Sequence, residues 1–161
     1  MLARALCMIL FSSLLAAAAD NPETASTSCT VEDGQQLSVR YPVTTAAEKL
    51  SNGKLWPQSG SPMLLFSTAN FNLANTQIPP GAYSMYVIPG GNHWTLIVNK
   101  NVTAGSQYDE HQDLVRAPMD VGQISQPLKQ LDISFAHTGP KLCGFRIYSG
   151  KVGAFVDFKE Q

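Results

Sequence analysis

This sequence has little charge. Asp, Glu, Lys and Arg make up 14% of its 161 residues, with a formal net charge of −1, where an ordinary domain carries about 25%. That composition gives no basic footprint for nucleic acid. The three histidines, His93, His111 and His137, stand in neither H-x-H nor H-E-x-x-H spacing, so no local metal motif exists. The three cysteines, Cys7, Cys29 and Cys143, lie far apart, which excludes the clustered pairs of a structural zinc site. There is no phosphate-binding loop and no dinucleotide fingerprint. Ser59-Gly60-Ser61 lacks the flanking glycines of a nucleophile elbow. No cofactor is implied, and none of the common enzyme signatures is present.

The one long apolar run is N-terminal. Arg4 precedes Leu6–Leu15, and Ala17-Ala18-Ala19 follows. A positive start, a short apolar stretch and a small-residue site read as an export signal. The run is too short for a membrane span, which takes about 20 residues. The expectation is a signal peptide over 1–19, a loose Ser/Thr-rich leader over 20–33, and a single β domain over 34–161. The mature chain is expected to have no transmembrane span and to be exported, either periplasmic or secreted. Cys7 leaves with the signal. Oxidising surroundings then favour a disulfide between Cys29 and Cys143, and a buried free Cys143 is the alternative.

The rest of the chain is punctuated by ten prolines and twelve glycines and alternates like β-structure. Leu37, Val39 and Tyr41 alternate with polar neighbours, and Met63–Thr68, Phe71–Ile78, Asp113–Val121 and Leu131–Ala136 read as further strands. Pro118 is expected at a sheet edge or end. Thr44–Leu50, closed by Asn52-Gly53, is the one candidate helical turn. The strongest signal is Ala82–Ile88 and His93–Asn99 around Pro89-Gly90-Gly91-Asn92, a hairpin. Folding about Gly90-Gly91 pairs Ile88 with His93, Val87 with Trp94, Met85 with Leu96 and Tyr83 with Val98. Tyr83, Met85, Val87, Trp94, Leu96 and Val98 then share one apolar face. Ser84, Tyr86, Ile88, His93, Thr95 and Ile97 share a mixed face. A second hairpin about Ser149-Gly150 pairs Tyr148 with Lys151, Ile147 with Val152, Phe145 with Ala154 and Cys143 with Val156. Cys143 thereby points inward. The expected fold is all-β: an antiparallel sandwich or barrel-like sandwich with two clear hairpins and at most one short helix.

Asn52-Gly53-Lys54-Leu55-Trp56, the run Pro79–Asn101, the run Tyr108–Met119 and the run Ile147–Lys159 together resemble a bacterial family, domain of unknown function number 2911. The resemblance covers Gln36 to the C-terminus. It implies an exported, β-rich protein with no assigned activity. Many members carry W-R-T-G-A-N-E at the position of Trp56, whereas here Pro57-Gln58-Ser59-Gly60-Ser61-Pro62 follows it. A polar site built from that Arg, Asn and Glu would have no counterpart in this chain.

Chemistry therefore has to come from dispersed residues. The densest polar stretch is Tyr108–Arg116. Tyr108, Asp109, Asp113 and Arg116 within it, together with His93 and an outward-facing Tyr86, are the candidate binding residues. Strand parity puts Asp113 and Arg116 on opposite faces unless the loop bends. The first functional reading is a non-catalytic module for a small molecule, a glycan or an envelope protein. The second is a small hydrolase or lyase using His93, Asp109, Asp113 and Arg116. The third is an envelope structural or assembly protein working through a sheet edge.

Overall fold

A computed structural model describes residues 23–43, 50–57 and 61–161. The fold is antiparallel β throughout. In order the strands are β1 (Thr24–Thr30), β2 (Gln36–Pro42), β3 (Met63–Ser67), β4 (Phe71–Leu73), β5 (Thr76–Ile78), β6 (Gly81–Ile88), β7 (His93–Asn99), β8 (Asp113–Gly139) and β9 (Leu142–Glu160). The one helical element among the described residues is a 3-10 turn at Glu110–Gln112. The strands form one sheet in the order β1-β2-β3-β6-β7-β8-β9-β4-β5, a barrel-like sandwich of the expected class.

The central hairpin is present with its faces as expected and its register moved. Met85 pairs with Val98, Val87 with Leu96 and Ile88 with Thr95, two residues further along β7 than a turn centred on Gly90-Gly91 gives. His93 and Trp94 leave the ladder with β6 and pair instead with Asp120 and Met119 of β8. Because a strand repeats every two residues, a two-residue shift keeps every side chain on its own face. Tyr83, Met85, Val87, Trp94, Leu96 and Val98 are all buried in the core. A Cβ at Gly90 would run into the His93 carbonyl oxygen, so the longer turn still needs glycine there.

The second hairpin lies within β9. Phe145 and Phe158 have ring centroids 6.5 Å apart, whereas thirteen residues of straight strand would separate them by about 40 Å. The Glu160 N–H donates to the Lys141 carbonyl at 2.9 Å. A Cβ on Gly153 would lie 2.9 Å from the Tyr148 ring, and one on Gly144 would lie 3.0 Å from Asp157 Oδ1. β9 therefore doubles back at Gly150, whose φ is +59°, as a tight turn with glycine first allows. Here too the second arm is set two residues further along than the parity-matched expectation, and Cys143 stays inward.

β8 wraps around this inner hairpin. Its first part pairs with the returning arm of β9, Asp120 with Phe155 through Gln123 with Val152. Leu128 meets the tip at Gly150, and Asp132 to Gly139 run back along the outgoing arm, from Tyr148 to Leu142. The register shifts between Gln123, Leu128 and Asp132 are the strand rounding that tip, a Greek-key arrangement. The far part of β8 comes beside β1, where the Phe135 N–H donates to Thr27 Oγ1 at 3.0 Å. A Cys29–Cys143 disulfide with a Cα separation of 5.9 Å ties β1 to β9 at the same closure.

Three local expectations change. Thr24–Thr30, read as a loose leader, is a strand paired along its length with β2: Thr is at home in strands, and Cys29 anchors it in the core. Phe71–Ile78 is two short strands around Ala74 and Asn75, both at positive φ, which is the turn geometry of a two-residue hairpin. Pro118 is paired with Thr95 inside the sheet, but the β8–β9 ladder starts only at Asp120, so its other side has no strand partner in that ladder. The expected signal segment and residues 44–49 of the candidate helical turn lie outside the described residues.

Candidate functional site

The segment between β7 and β8 crosses the outer face of the sheet and buries what parity alone leaves outside. Tyr108 packs edge-on against Tyr86, with ring centroids 4.9 Å apart. Tyr86 is only 6% exposed, which corrects its reading as an outward-facing residue. Ser84 and Ile97 of the same mixed face are also buried. Ser84 Oγ donates to the Asn101 carbonyl at 2.8 Å, fastening the start of the crossing segment.

Asp113 is the centre of the polar residues. The ladder slips between Val98 and Asn99, where Asn99 pairs with Asp113. This irregularity puts Asp113 and Arg116 on one side, against strict alternation. Arg116 Nε donates to Asp113 Oδ2 at 2.7 Å, the Tyr108 hydroxyl donates to the same oxygen at 2.7 Å, and Arg116 Nη2 donates to that hydroxyl at 2.7 Å. Asn99 Nδ2 donates to Asp113 Oδ1 and to the Asp109 carbonyl, both at 2.8 Å, and Asn99 Oδ1 accepts from the Asn101 N–H at 2.9 Å. Burial, then the hydrogen bond and charge of Asp113, push the Tyr108 hydroxyl well above its usual range. The hydrogen bond to Asp113, more than any other cause, raises the Arg116 guanidinium as well.

Both Asp113 oxygens, the Tyr108 hydroxyl and the Asn99 amide are thus spent on one another. A group held this way fixes the loop and has little left to offer a ligand. Of the six candidates, Tyr86, Tyr108, Asp113 and Arg116 are brought together. Asp109 sits beside them, but its side chain caps the 3-10 turn by accepting from the His111 N–H at 3.0 Å. His93 lies at the opposite end of β7, about 20 Å away at strand rise. A hydrolytic site built from His93 with Asp109, Asp113 and Arg116 is not assembled. Asn99 is the member that sequence reading missed. An Asn closing a strand of β-branched and aromatic residues goes against strand preference, and that was its signal.

A concave site lies at the other end of the sheet, among the turn 89–92, the bend of β8 and the tip of the β9 hairpin. It is a cleft of about 480 Å³, within the usual range for small-molecule sites. Trp94, Val121 and Val152 give it apolar walls, and Asn52, Asn92 and Gln123 bring side-chain amides. No Asp, Glu, Lys, Arg or His lines it among the described residues. Nor does any group of three His, Cys, Asp or Glu gather to hold a metal ion among those residues. The Trp56 ring is buried, and its Nε1 has no hydrogen-bond partner among the described residues.

The sequence profile of the family described as Protein of unknown function (DUF2911) matches residues 27–152. The chain belongs to this family. The DUF2911 match runs from β1 to just past the tip of the β9 hairpin, so it includes the Tyr108–Asp113–Arg116 cluster and every residue of the cleft named above. No curated protein and no solved structure matches the chain.

Proposed function

We propose that this DUF2911 protein is an exported, non-catalytic binding module whose ligand is a small neutral molecule bearing hydroxyl or amide groups, held in the cleft at the 89–92 end. The observation that carries this reading is the cleft's lining. Apolar walls supply burial, while Asn52, Asn92 and Gln123 each offer a donor and an acceptor without charge. Such a set orients a neutral polar ligand and supplies no general acid or base. The Tyr108–Asp113–Arg116 cluster serves this reading as a loop anchor at the opposite end. Export is supported by the Arg4, Leu6–Leu15 and Ala17–Ala19 pattern.

Two measurements test it. Mass spectrometry of the exported protein is expected to find a chain starting at or near Asp20. An intact Met1 on a membrane-bound species would end the export reading. A thermal-shift screen of neutral sugars, polyols and amides is expected to raise Tm by mass action, with the gain lost in Asn92→Ala and Gln123→Ala. A hit that survives both substitutions removes the cleft as the site.

A further inference from the structure

The outer face of the β8–β9 Greek key carries a second depression, distinct in chemistry from the cleft. It is a trough of about 380 Å³. Its floor is glycine: Gly122, Gly144 and Gly153 come from three neighbouring strand segments. Glycine inside a strand marks a place where something must approach the backbone closely. Here a Cβ at Gly153 would meet the Tyr148 ring at 2.9 Å, and one at Gly144 would meet Asp157 Oδ1 at 3.0 Å and Thr138 Cγ2 at 3.1 Å. The missing side chains let Tyr148 lean over the sheet and let the Asp157 carboxylate lean inward.

The walls combine two aromatic rings with two opposite charges. Phe155 is 46% exposed, unusual for a large apolar side chain in the middle of a strand. The fold-back of β9, with Lys141 opposite Glu160, sets Arg146 opposite Phe155. Arg146 and Asp157 both line the trough, yet neither takes part in an ion pair among the described residues. A guanidinium and a carboxylate are therefore held in one trough beside exposed ring surface, with neither neutralising the other.

We propose that this trough binds a pyranose unit of a neutral glycan. A pyranose presents an apolar C–H face and an edge of vicinal hydroxyls, each both donor and acceptor. The C–H face fits against Phe155 and Tyr148. The hydroxyl edge accepts from Arg146, whose planar fork suits paired oxygens, and donates to Asp157. Gly122, where a Cβ would meet nothing nearer than the Phe155 ring at 4.0 Å, leaves room beside Phe155 for the ring to sit low. A ligand charged with one sign fits less well, because one of the two opposite charges would always face it unfavourably. The site is independent of the cleft reading, although Gly122 and Gln123 border both depressions.

The test uses cellohexaose, maltohexaose and chitohexaose as probes, titrated into the isotopically labelled protein and followed by amide chemical shifts. At least one probe is expected to move the amides of Gly144, Gly153 and Phe155. Phe155→Ala and Arg146→Ala are each expected to weaken that binding about tenfold, the change that a loss of one decade in Kd represents. Both residues reach the surface, and unchanged melting curves will show that the variants fold. Asn92→Ala, in the cleft, is expected to leave the affinity unchanged. The proposal is overturned if no probe moves those amides, or if Phe155→Ala and Arg146→Ala bind as the wild type does. It is also overturned if Asn92→Ala abolishes binding while the trough variants keep it, which would assign the glycan to the cleft.

Discussion

Asp113 Oδ2 accepts two hydrogen bonds at 2.7 Å, one from the Tyr108 hydroxyl and one from Arg116 Nε. The three groups form a closed triangle, since Arg116 Nη2 also donates to the Tyr108 hydroxyl. Arg116 reaches no further than Glu110, 3.7 Å away. The cluster sits where the chain leaves β7, crosses the sheet and enters β8, so it holds the crossing segment over Tyr86 and Ile97.

Removing the hub should therefore cost more than removing the rim. The Asp113 side chain is 10% exposed and that of Arg116 43%. Asp113→Ala takes one of two acceptors from the buried Asn99 amide and an acceptor from each of two further donors, and is expected to cost about 2–3 kcal/mol. Arg116→Ala removes an exposed partner and is expected to cost about 0.5–1 kcal/mol. Urea melts of both variants check the order. An Arg116 variant that loses binding of a thermal-shift hit while keeping its stability would mean that the cluster is a site and not an anchor.

Tyr108 gives the cluster a pH signature. A phenol whose folded value is raised above the ordinary value of about 10 contributes stability that is complete below that pH and is lost as pH rises through the folded value. The difference in stability between wild type and Tyr108→Phe is therefore expected to stay constant from pH 6 to about 9. It should shrink only at strongly alkaline pH. A difference that changes across neutrality would contradict the rise produced by burial and by Asp113.

The disulfide joins residues 114 apart in sequence, so its effect on the unfolded chain is large. Loop-closure entropy puts the cost of the Cys29→Ala, Cys143→Ala double variant at about 4–5 kcal/mol. The loss should begin at the closure it ties. Hydrogen exchange is expected to show β1 and the Phe135 amide, which donates to Thr27 Oγ1, losing protection before β6 and β7. Uniform loss across the sheet would mean that the closure has no separate opening.

How much of this was legible follows from what periodicity measures. Alternation fixes the face of a side chain, and so Trp94, Met85 and Cys143 were placed inward correctly even though both hairpin registers moved by two residues. Turn length is not written in alternation, and Pro89–Asn92 looked like the whole turn because nothing marks His93 and Trp94 as belonging to β8's ladder rather than β6's. Parity also says nothing about what covers a face. Tyr86 is buried by the segment carrying Tyr108, a contact between residues 22 apart that no local pattern reveals. The Asp113–Arg116 contact was missed for a related reason: it depends on the ladder irregularity at Asn99. Ala74 at positive φ gives no turn signal of its own, so β4 and β5 read as one strand.

Trp94 separates the two faces energetically. It is buried in the core, whereas Thr95 lies on the mixed face and is half-buried. Trp94→Ala is expected to cost about 3–5 kcal/mol, and Thr95→Ala much less. Equal losses in denaturant melts would contradict the face assignment.

The register of the central hairpin can be read directly by cross-linking. Directly opposed residues in an antiparallel pair have Cα atoms about 4.5–5.5 Å apart, within the range a disulfide bridges. Residues displaced by two along the partner strand stand about 7–8 Å away, beyond that range. Ile88 is paired with Thr95, and a turn centred on Gly90-Gly91 would have paired it with His93. Ile88→Cys with Thr95→Cys is therefore expected to oxidise readily in the folded protein and to raise its Tm. Ile88→Cys with His93→Cys should stay reduced under the same conditions. All three positions are at least partly accessible, so neither pair is hidden from the oxidant, and the native Cys29–Cys143 bond is remote at the far end of the sheet. Oxidation of the His93 pair in preference to the Thr95 pair would restore the shorter turn, and with it bring Trp94 opposite Val87 of β6.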